Sequence, residues 1–276
     1  MKSISRRAII LVFLGFFLQP GLSRAFNPAT HIFIAEKAFP GSTERLDLDY
    51  GSIAPDLALS VPDTASWETP FQDTHYNYID LRPYARGSIQ KAFARGWLTH
   101  NEAWGADHSA HKGYCGKTSL GYVIEKSQEL VLWNPDLTAD FAHYAIEVAV
   151  DLLVKGDDPG IGEKLLKADL FRSPQDRRLL ARVLVWKERR TDWITLALVE
   201  LSFRNLVGRY AMALALPSPM DKKAIVELGV ELAREKYGIE VSPEELGEIL
   251  EKAMALCRGD YREVIDCTVE RIREHL

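Results

Sequence analysis

Cysteine is scarce, with three in 276 residues, too few for a disulfide scaffold. Cys257 and Cys267 are the one pair close in sequence. "LCRGDYREVIDC" reads as a helix ending near Gly259 and a second beginning at Asp260, with Cys257 at the turn and Cys267 about two turns away. In one continuous helix the two would stand roughly 15 Å apart. Both arrangements exceed disulfide reach, so no bridge is expected and Cys115 reads as unpaired. Strand-like alternation is sparse, and tandem repeats and low-complexity tracts are missing. No GxSxG serine elbow occurs, and Cys115 has no obvious activating partner, which argues against a covalent nucleophile. Basic residues are in deficit, 34 Lys and Arg against 39 Asp and Glu, for a formal charge of −5. An acidic surface repels polyanions and makes nucleic acid a less favoured partner, although bound dications would invert the field locally.

Long apolar runs are likewise missing beyond the first residues. "MKSISRRAIILVFLGFFLQPGLSRA" has the build of a secretory signal. Lys2, Arg6 and Arg7 precede an apolar run from Ala8 to Leu18, and Ser23 and Ala25 are small residues at the cleavage positions. The run is short for a membrane span; an uncleaved anchor is the alternative. Cleavage makes Phe26 the new N-terminus. Removing 25 residues with four positive charges leaves 251 residues of net charge −9. Export to the periplasm or the exterior is therefore expected. One large domain fits the remaining length.

What is abundant is helical periodicity. "PATHIFIAEKAF" places Ile32, Ala35 and Phe39 on one face. Residues 41–85 are rich in Pro, Gly, Asp and Ser and read as loops with short helical pieces. A helix or kinked pair covers 88–112, another runs from Leu120 to Trp133, and "LTADFAHYAIEVAVDLLVK" is the clearest helix. Ser173-Pro174 and Ser242-Pro243 read as helix starts, Glu245 completes a capping box, and Gly238 is a candidate C-cap. "KERRTDWITLALVELSFRNLVGRYAMALAL" reads as a buried helix. The fold class is all-α. Residues 26–215 form the expected catalytic domain and 216–276 a C-terminal helical extension, joined at "LPSPMDKK".

Six of the seven histidines lie between 31 and 143; His275, alone at the end, reads as solvated. In "GWLTHNEAWGADHSAHKGY", His100, Asp107 and His111 stand at i, i+7 and i+11, one face of a continuous helix, although Gly105 weakens that helix. His31 lies in "ATHIFIA", Asp56 in a turn after Pro55, and His75 in "DTHYNYID". His143 and Glu147 are four apart on one helix and can grip a single ion. Imidazole with carboxylate suits zinc better than calcium or magnesium. Asp151, one turn further on, reads as a supporting or solvated acid.

The ordered set of "TH…IA", "GSIAPD", "HYNY", "GWLTH…D…H" and "HYAIE" over residues 26–155 resembles the zinc-dependent phospholipase C and P1-type nuclease superfamily. The resemblance implies an all-α, multi-helix fold with a metal cleft between helices and two to three zinc ions. It implies a first zinc on Asp56, His75, His100 and Asp107, and a second on His111, His143 and Glu147. A third would sit on the amine and carbonyl of Phe26 with His31 and a shared Asp107. The family places its bridging Asp four residues after its His. Here Trp104 holds that position and Asp107 lies three further on, with Glu102 and His108 as the alternative ligands. The implied activity is hydrolysis of phosphodiesters by zinc-activated water, with Asp56 doubling as general base. A phospholipid or other phosphate ester is then the substrate, with transient contact to a membrane surface and no obligate protein partner. The alternatives are a single-strand nuclease or nucleotidase, for which Trp67, Phe71, Tyr76 and Tyr78 could stack bases, and a non-catalytic module stabilised by zinc.

Overall fold

The computed structural model describes residues 26–60, 74–75, 78–117, 120–237 and 240–276. The expected signal segment, the aromatics Trp67, Phe71 and Tyr76, and Gly238 lie outside them. Among the described residues the protein is all-α, as its periodicity predicts; the one β pairing there is an isolated bridge between Tyr114 and Lys117. In chain order the helices are α1 (Pro28–Ala38), α2 (Arg45–Ile53), α3 (Gly87–His100), α4 (Ala106–His111), α5 (Tyr122–Trp133) and α6 (Ala139–Asp157). They continue with α7 (Ile161–Phe171), α8 (Pro174–Leu180), α9 (Trp193–Ala215), α10 (Met220–Tyr237), α11 (Pro243–Cys257) and α12 (Tyr261–Glu274). A 3-10 segment, Ala54–Ser60, extends α2, and a π-helical stretch, Ala181–Lys187, extends α8.

Local chemistry starts several of these helices. Thr138, Ser173 and Ser242 each accept a backbone N–H of the first turn through their hydroxyls, at 3.2, 3.2 and 3.1 Å. Each such cap contributes about 1 kcal/mol. Pro28, Pro174 and Pro243 occupy first-turn positions, where the missing N–H has no partner to lose. Asp192 caps α9 by accepting from the N–H groups of Ile194 and Thr195.

The crossing of α2 and α3 sets up the rest. Gly51 and Gly96 face each other's helix so closely that a Cβ at Gly96 would lie 2.0 Å from the Leu48 carbonyl oxygen. One at Gly51 would lie 2.2 Å from the Phe93 carbonyl oxygen. Two backbones in contact bring the C-terminal end of α3, with His100, onto the segment that follows α2, with Asp56.

One apolar core runs from Phe26 and Ile32 through α5 and α6 to Ile265 and Ile272 of α12. The 216–223 connection is pinned to α6, because the Lys155 ammonium reaches both the Leu216 carbonyl and, at 2.7 Å, Asp221. The expectation for cysteine is overturned: Cys115 is bonded to Cys267, with Cα atoms 5.3 Å apart across a separation of 152 residues, and Cys257 is a buried free thiol. Tertiary packing of α12 against the loop after α4 makes this pair, and no local spacing could announce it. The expectation of a wholly buried α9 also fails. Leu196, Val199, Phe203, Val207 and Tyr210 are inside, while Ile194, Leu198, Leu201 and Met212 are exposed. Among the described residues no helix is long and apolar enough to cross a membrane.

Candidate metal centre

His100, Asp107 and His111 do not share one helix. The chain leaves α3 at His100, turns through residues 101–105, and re-enters helix at Ala106. Gly105 belongs to that turn, where a Cβ would meet the Thr99 and Asn101 carbonyl oxygens at 2.6 and 2.7 Å. The side chain of Asn101 bonds the Ala103 and Trp104 N–H groups and closes the turn. Folding back this way points Asp107 at His100 rather than along a stripe.

The result is a buried group of five side chains from α1, the 3-10 segment, the Thr74–His75 turn, α3 and α4. His100 Nε2 lies 3.4 Å from both Asp56 Oδ1 and Asp107 Oδ1. His75 Nε2 is 3.3 Å from Asp56 Oδ1 and 3.9 Å from Asp107 Oδ2, and His31 Nε2 is 4.0 Å from Asp107 Oδ1. The His31 ring stacks on His100 at 4.1 Å and faces the backbone of Phe26. Two overlapping triads here, His31–Asp56–His100 and His75–His100–Asp107, have ligand atoms within the span of one ion. A third triad joins His111, His143 and Glu147, with His143 Nε2 and Glu147 Oε1 2.9 Å apart one helical turn along α6. All eight ligand side chains read from the sequence therefore fall into two neighbouring groups, and Phe26 sits buried beside His31.

Hydrogen bonds to the far ring nitrogens orient the imidazoles. His100 Nδ1 donates to the Ser52 carbonyl at 2.9 Å, which leaves Nε2 as the lone-pair nitrogen of the neutral ring. His111 Nδ1 bonds Glu102 Oε1 at 2.6 Å, and the Thr74 hydroxyl contacts His75 Nδ1 at 2.6 Å. Such partners fix tautomer and orientation for a metal ligand. Glu102 is thus a support for His111 and His108 stands outside both groups, its Nδ1 donating to the Glu102 carbonyl. Asp107 lies within 4.0 Å of His31, His75 and His100, and His100 is the residue that the two overlapping triads share.

Asp151 is neither a ligand nor solvated. Fully buried, it accepts from the Ala29 and Thr30 N–H groups at 3.1 and 2.8 Å, from the Thr30 hydroxyl at 2.6 Å and from the Tyr210 hydroxyl at 3.0 Å. It anchors the start of α1, and with it His31, to α6. A carboxylate at a helix N-terminus also satisfies N–H groups that have no intrahelical partner. Burial nevertheless pushes Asp151 up to about 7 against those bonds.

The electrostatics of the five-residue group are those of a cation site. Burial pushes Asp107 well above the usual carboxylate range; His100 opposes that, and the nearby Glu102, Asp56 and Glu147 reinforce it. Burial lowers His31 and His75, with His100 adding to both shifts. On His100 burial is outweighed by Asp107 and Asp56, which raise it to about 9. Asp56 resists burial because His100, 3.4 Å away, and then His75 hold it well below the carboxylate range. Neither Asp107 oxygen accepts a hydrogen bond, nor does His100 Nε2 have one. Burying lone pairs unsatisfied costs several kcal/mol as an order of magnitude, and a cation among them removes that cost. The residues present fit a metal ion on this ground.

Asp56, 13% exposed, is the one member of the five that opens to solvent. Of the loop aromatics considered as stacking platforms, Tyr78 packs edge-on against Trp104, which in turn stacks on an exposed His275 at 5.1 Å. No protein-family model, curated protein or solved structure matches the chain.

Proposed function

We propose that the protein is an exported, zinc-dependent hydrolase of phosphate esters, acting on phosphodiesters in the manner of a phospholipase C. The observation that carries the reading is the convergence of His31, Asp56, His75, His100 and Asp107, with His31, His100 and Asp107 bringing unsatisfied buried atoms, and with His111, His143 and Glu147 alongside. Mixed imidazole and carboxylate donors favour zinc. The choice of phosphate esters rests on the resemblance of the ordered motifs from "TH…IA" to "HYAIE".

His31, Asp56, His75, His100 and Asp107 would hold one part of the metal complement, with the Phe26 amine and carbonyl once the chain begins there. His111, His143 and Glu147 would hold the other. Zinc in such a donor set supplies Lewis acidity toward phosphoryl oxygens and acidifies water. The chain's own part in the reaction falls to Asp56. It is the member of the group that faces solvent, so it can accept a proton from water attacking phosphorus. The Ser52 carbonyl, which can only accept, would leave the His100 Nε2 lone pair facing the centre, and Thr74 and Glu102 hold the rings of His75 and His111 in place.

The test is elemental analysis of the folded protein together with hydrolysis assays, with and without chelator. Phosphatidylcholine, phosphatidylinositol, single-stranded DNA and RNA, and simple aryl phosphates form the panel. Two to three zinc ions per chain and chelator-sensitive release of a phosphorylated head group are expected. Less than one metal per folded chain overturns the metal reading. Full metal without turnover of any phosphate ester overturns the enzyme reading in favour of a zinc-stabilised module.

A further inference from the structure

The exposed side of α9 and the turn before it carry a surface that the metal centre does not explain. Ile194, Leu198 and Leu201 are 69, 62 and 65% exposed and stand at i, i+4 and i+7, one stripe of the helix. Trp193 flanks the stripe, and Trp186, 66% exposed, lies at the end of the preceding helical stretch. Large apolar side chains gathered this way mark a docking face. The ion pairs Asp169–Arg204 and Arg172–Glu200 hold the end of α7, with exposed Phe171, beside α9.

The charges next to this face choose its occupant. Lys187, Arg189 and Arg190 lie between the two tryptophans, all exposed, in a chain whose net charge is −5. Of the two acids in the same stretch, Asp192 is tied up capping α9 and Glu188 lies 3.9 Å from Lys187, whose ammonium also sits 3.9 Å over the Tyr84 ring, so Arg189 is the cation left to face a ligand. Indole rings flanking cations at the head of an apolar stripe match the headgroup level of a bilayer, where Trp is enriched. Cations beside an apolar helix face give it attraction for anionic lipid within a Debye length. We infer that Trp186, Trp193 and the Ile194–Leu198–Leu201 stripe form a docking face for the surface of an anionic phospholipid bilayer, with Arg189 at the headgroups. α9 also packs against the Ala54–Ser60 segment that carries Asp56. The inference rests on surface chemistry alone and its test needs neither metal nor turnover, so it stands or falls apart from the hydrolase reading.

The experiment follows tryptophan fluorescence of the full chain with phosphatidylcholine vesicles carrying brominated acyl chains and about 30% phosphatidylglycerol. The parent should be quenched, and the Trp186→Phe/Trp193→Phe variant should lose that quenching, since these two rings enter the bilayer. Every arm carries the same N-terminal apolar run, so the difference between variants reads the α9 face alone. Arg189→Gln should need about five times more anionic lipid for half-maximal quenching, and raised salt should mimic it. Equal quenching of the parent and the double Trp variant, or none in the parent, overturns the inference. It is also overturned if sedimentation without lipid finds self-association that Leu198→Asp disperses, which would give the face to a second copy of the chain.

Discussion

Replacing Gly96 by alanine should damage the metal centre from a distance. The added Cβ would lie 2.0 Å from the Leu48 carbonyl oxygen and 2.8 Å from the Ser52 nitrogen, both backbone atoms that no rotamer change can move. Ordinary contact begins at 3.4 Å, so α2 and α3 must part by about 1.4 Å in a packed interior. That motion carries His100 away from Ser52, whose carbonyl holds its Nδ1 at 2.9 Å. Overpacking costs about 1–3 kcal/mol and a weakened buried hydrogen bond about 1 kcal/mol. The better helix propensity of alanine returns about 1 kcal/mol. A net loss of about 1–3 kcal/mol lowers the melting temperature by roughly 3–10 °C for a chain of this size. Gly247→Ala is the control, because nothing lies within 4 Å of a Cβ there; it should raise the melting temperature by roughly 2–4 °C. Thermal unfolding and metal content of both variants are the measurements. A Gly96→Ala protein as stable and as metal-rich as the parent would refute the claim that this crossing positions His100.

Other perturbations separate ligands from supports. Asp107→Asn should strip metal from the His31–His75–His100 group, whereas Glu102→Gln should spare that group and weaken the His111 site by about 10–100-fold, read by metal titration. Joint replacement of Cys115 and Cys267 by serine opens a loop of 152 residues and should cost up to about 5 kcal/mol in denaturant unfolding; an unchanged midpoint would show that α12 holds its place without the bond. Asp49, buried with no hydrogen bond to its carboxylate, is pushed up to about 8 by burial, with Glu36 reinforcing. Its folded pKa exceeds the unfolded value near 3.9, so its contribution to stability is whole below about pH 4 and lost as pH rises through about 8. Asp49→Asn should therefore match the parent at about pH 4 and exceed it by a few kcal/mol above about pH 8, and equal stability at both pH values would refute the shift.

Much of the fold was legible because helix starts are decided within four residues. Ser173 and Ser242 cap as their Ser-Pro pairs predict, and α6 runs as its apolar periodicity demands between Thr138 and Asp158. Residues 41–85 read as loops with short helical pieces, and Arg45–Ile53 is one of them. The polar run "RLDLDYGSI" conceals a full helix whose Asp47, Asp49 and Ser52 are buried by tertiary packing, a setting that hydrophobic pattern cannot register. The exposed stripe of α9 was misread for the opposite reason. Its apolar residues go all round the helix, and composition does not say which side finds a neighbour.

The site divides along the same line between local and distant causes. His143 and Glu147 meet because four residues make a helical turn, and that much is arithmetic on the sequence. Which support each ligand receives is a property of the crossing. Glu102 reaches His111 across the Gly105 turn, Ser52 reaches His100 only because Gly51 and Gly96 let two backbones touch, and Asp151 holds α1 from 121 residues away. The same packing lays α12 on α4, with Thr268 bonded to Ser109 at 2.7 Å and Cys267 bonded to Cys115. The helix that carries Asp107 and His111 is only six residues long, too short to persist alone. Its geometry must be imposed by what packs on it. The C-terminal helix is in this sense part of the candidate metal centre, although none of its residues belongs to the three His/Asp/Glu groups.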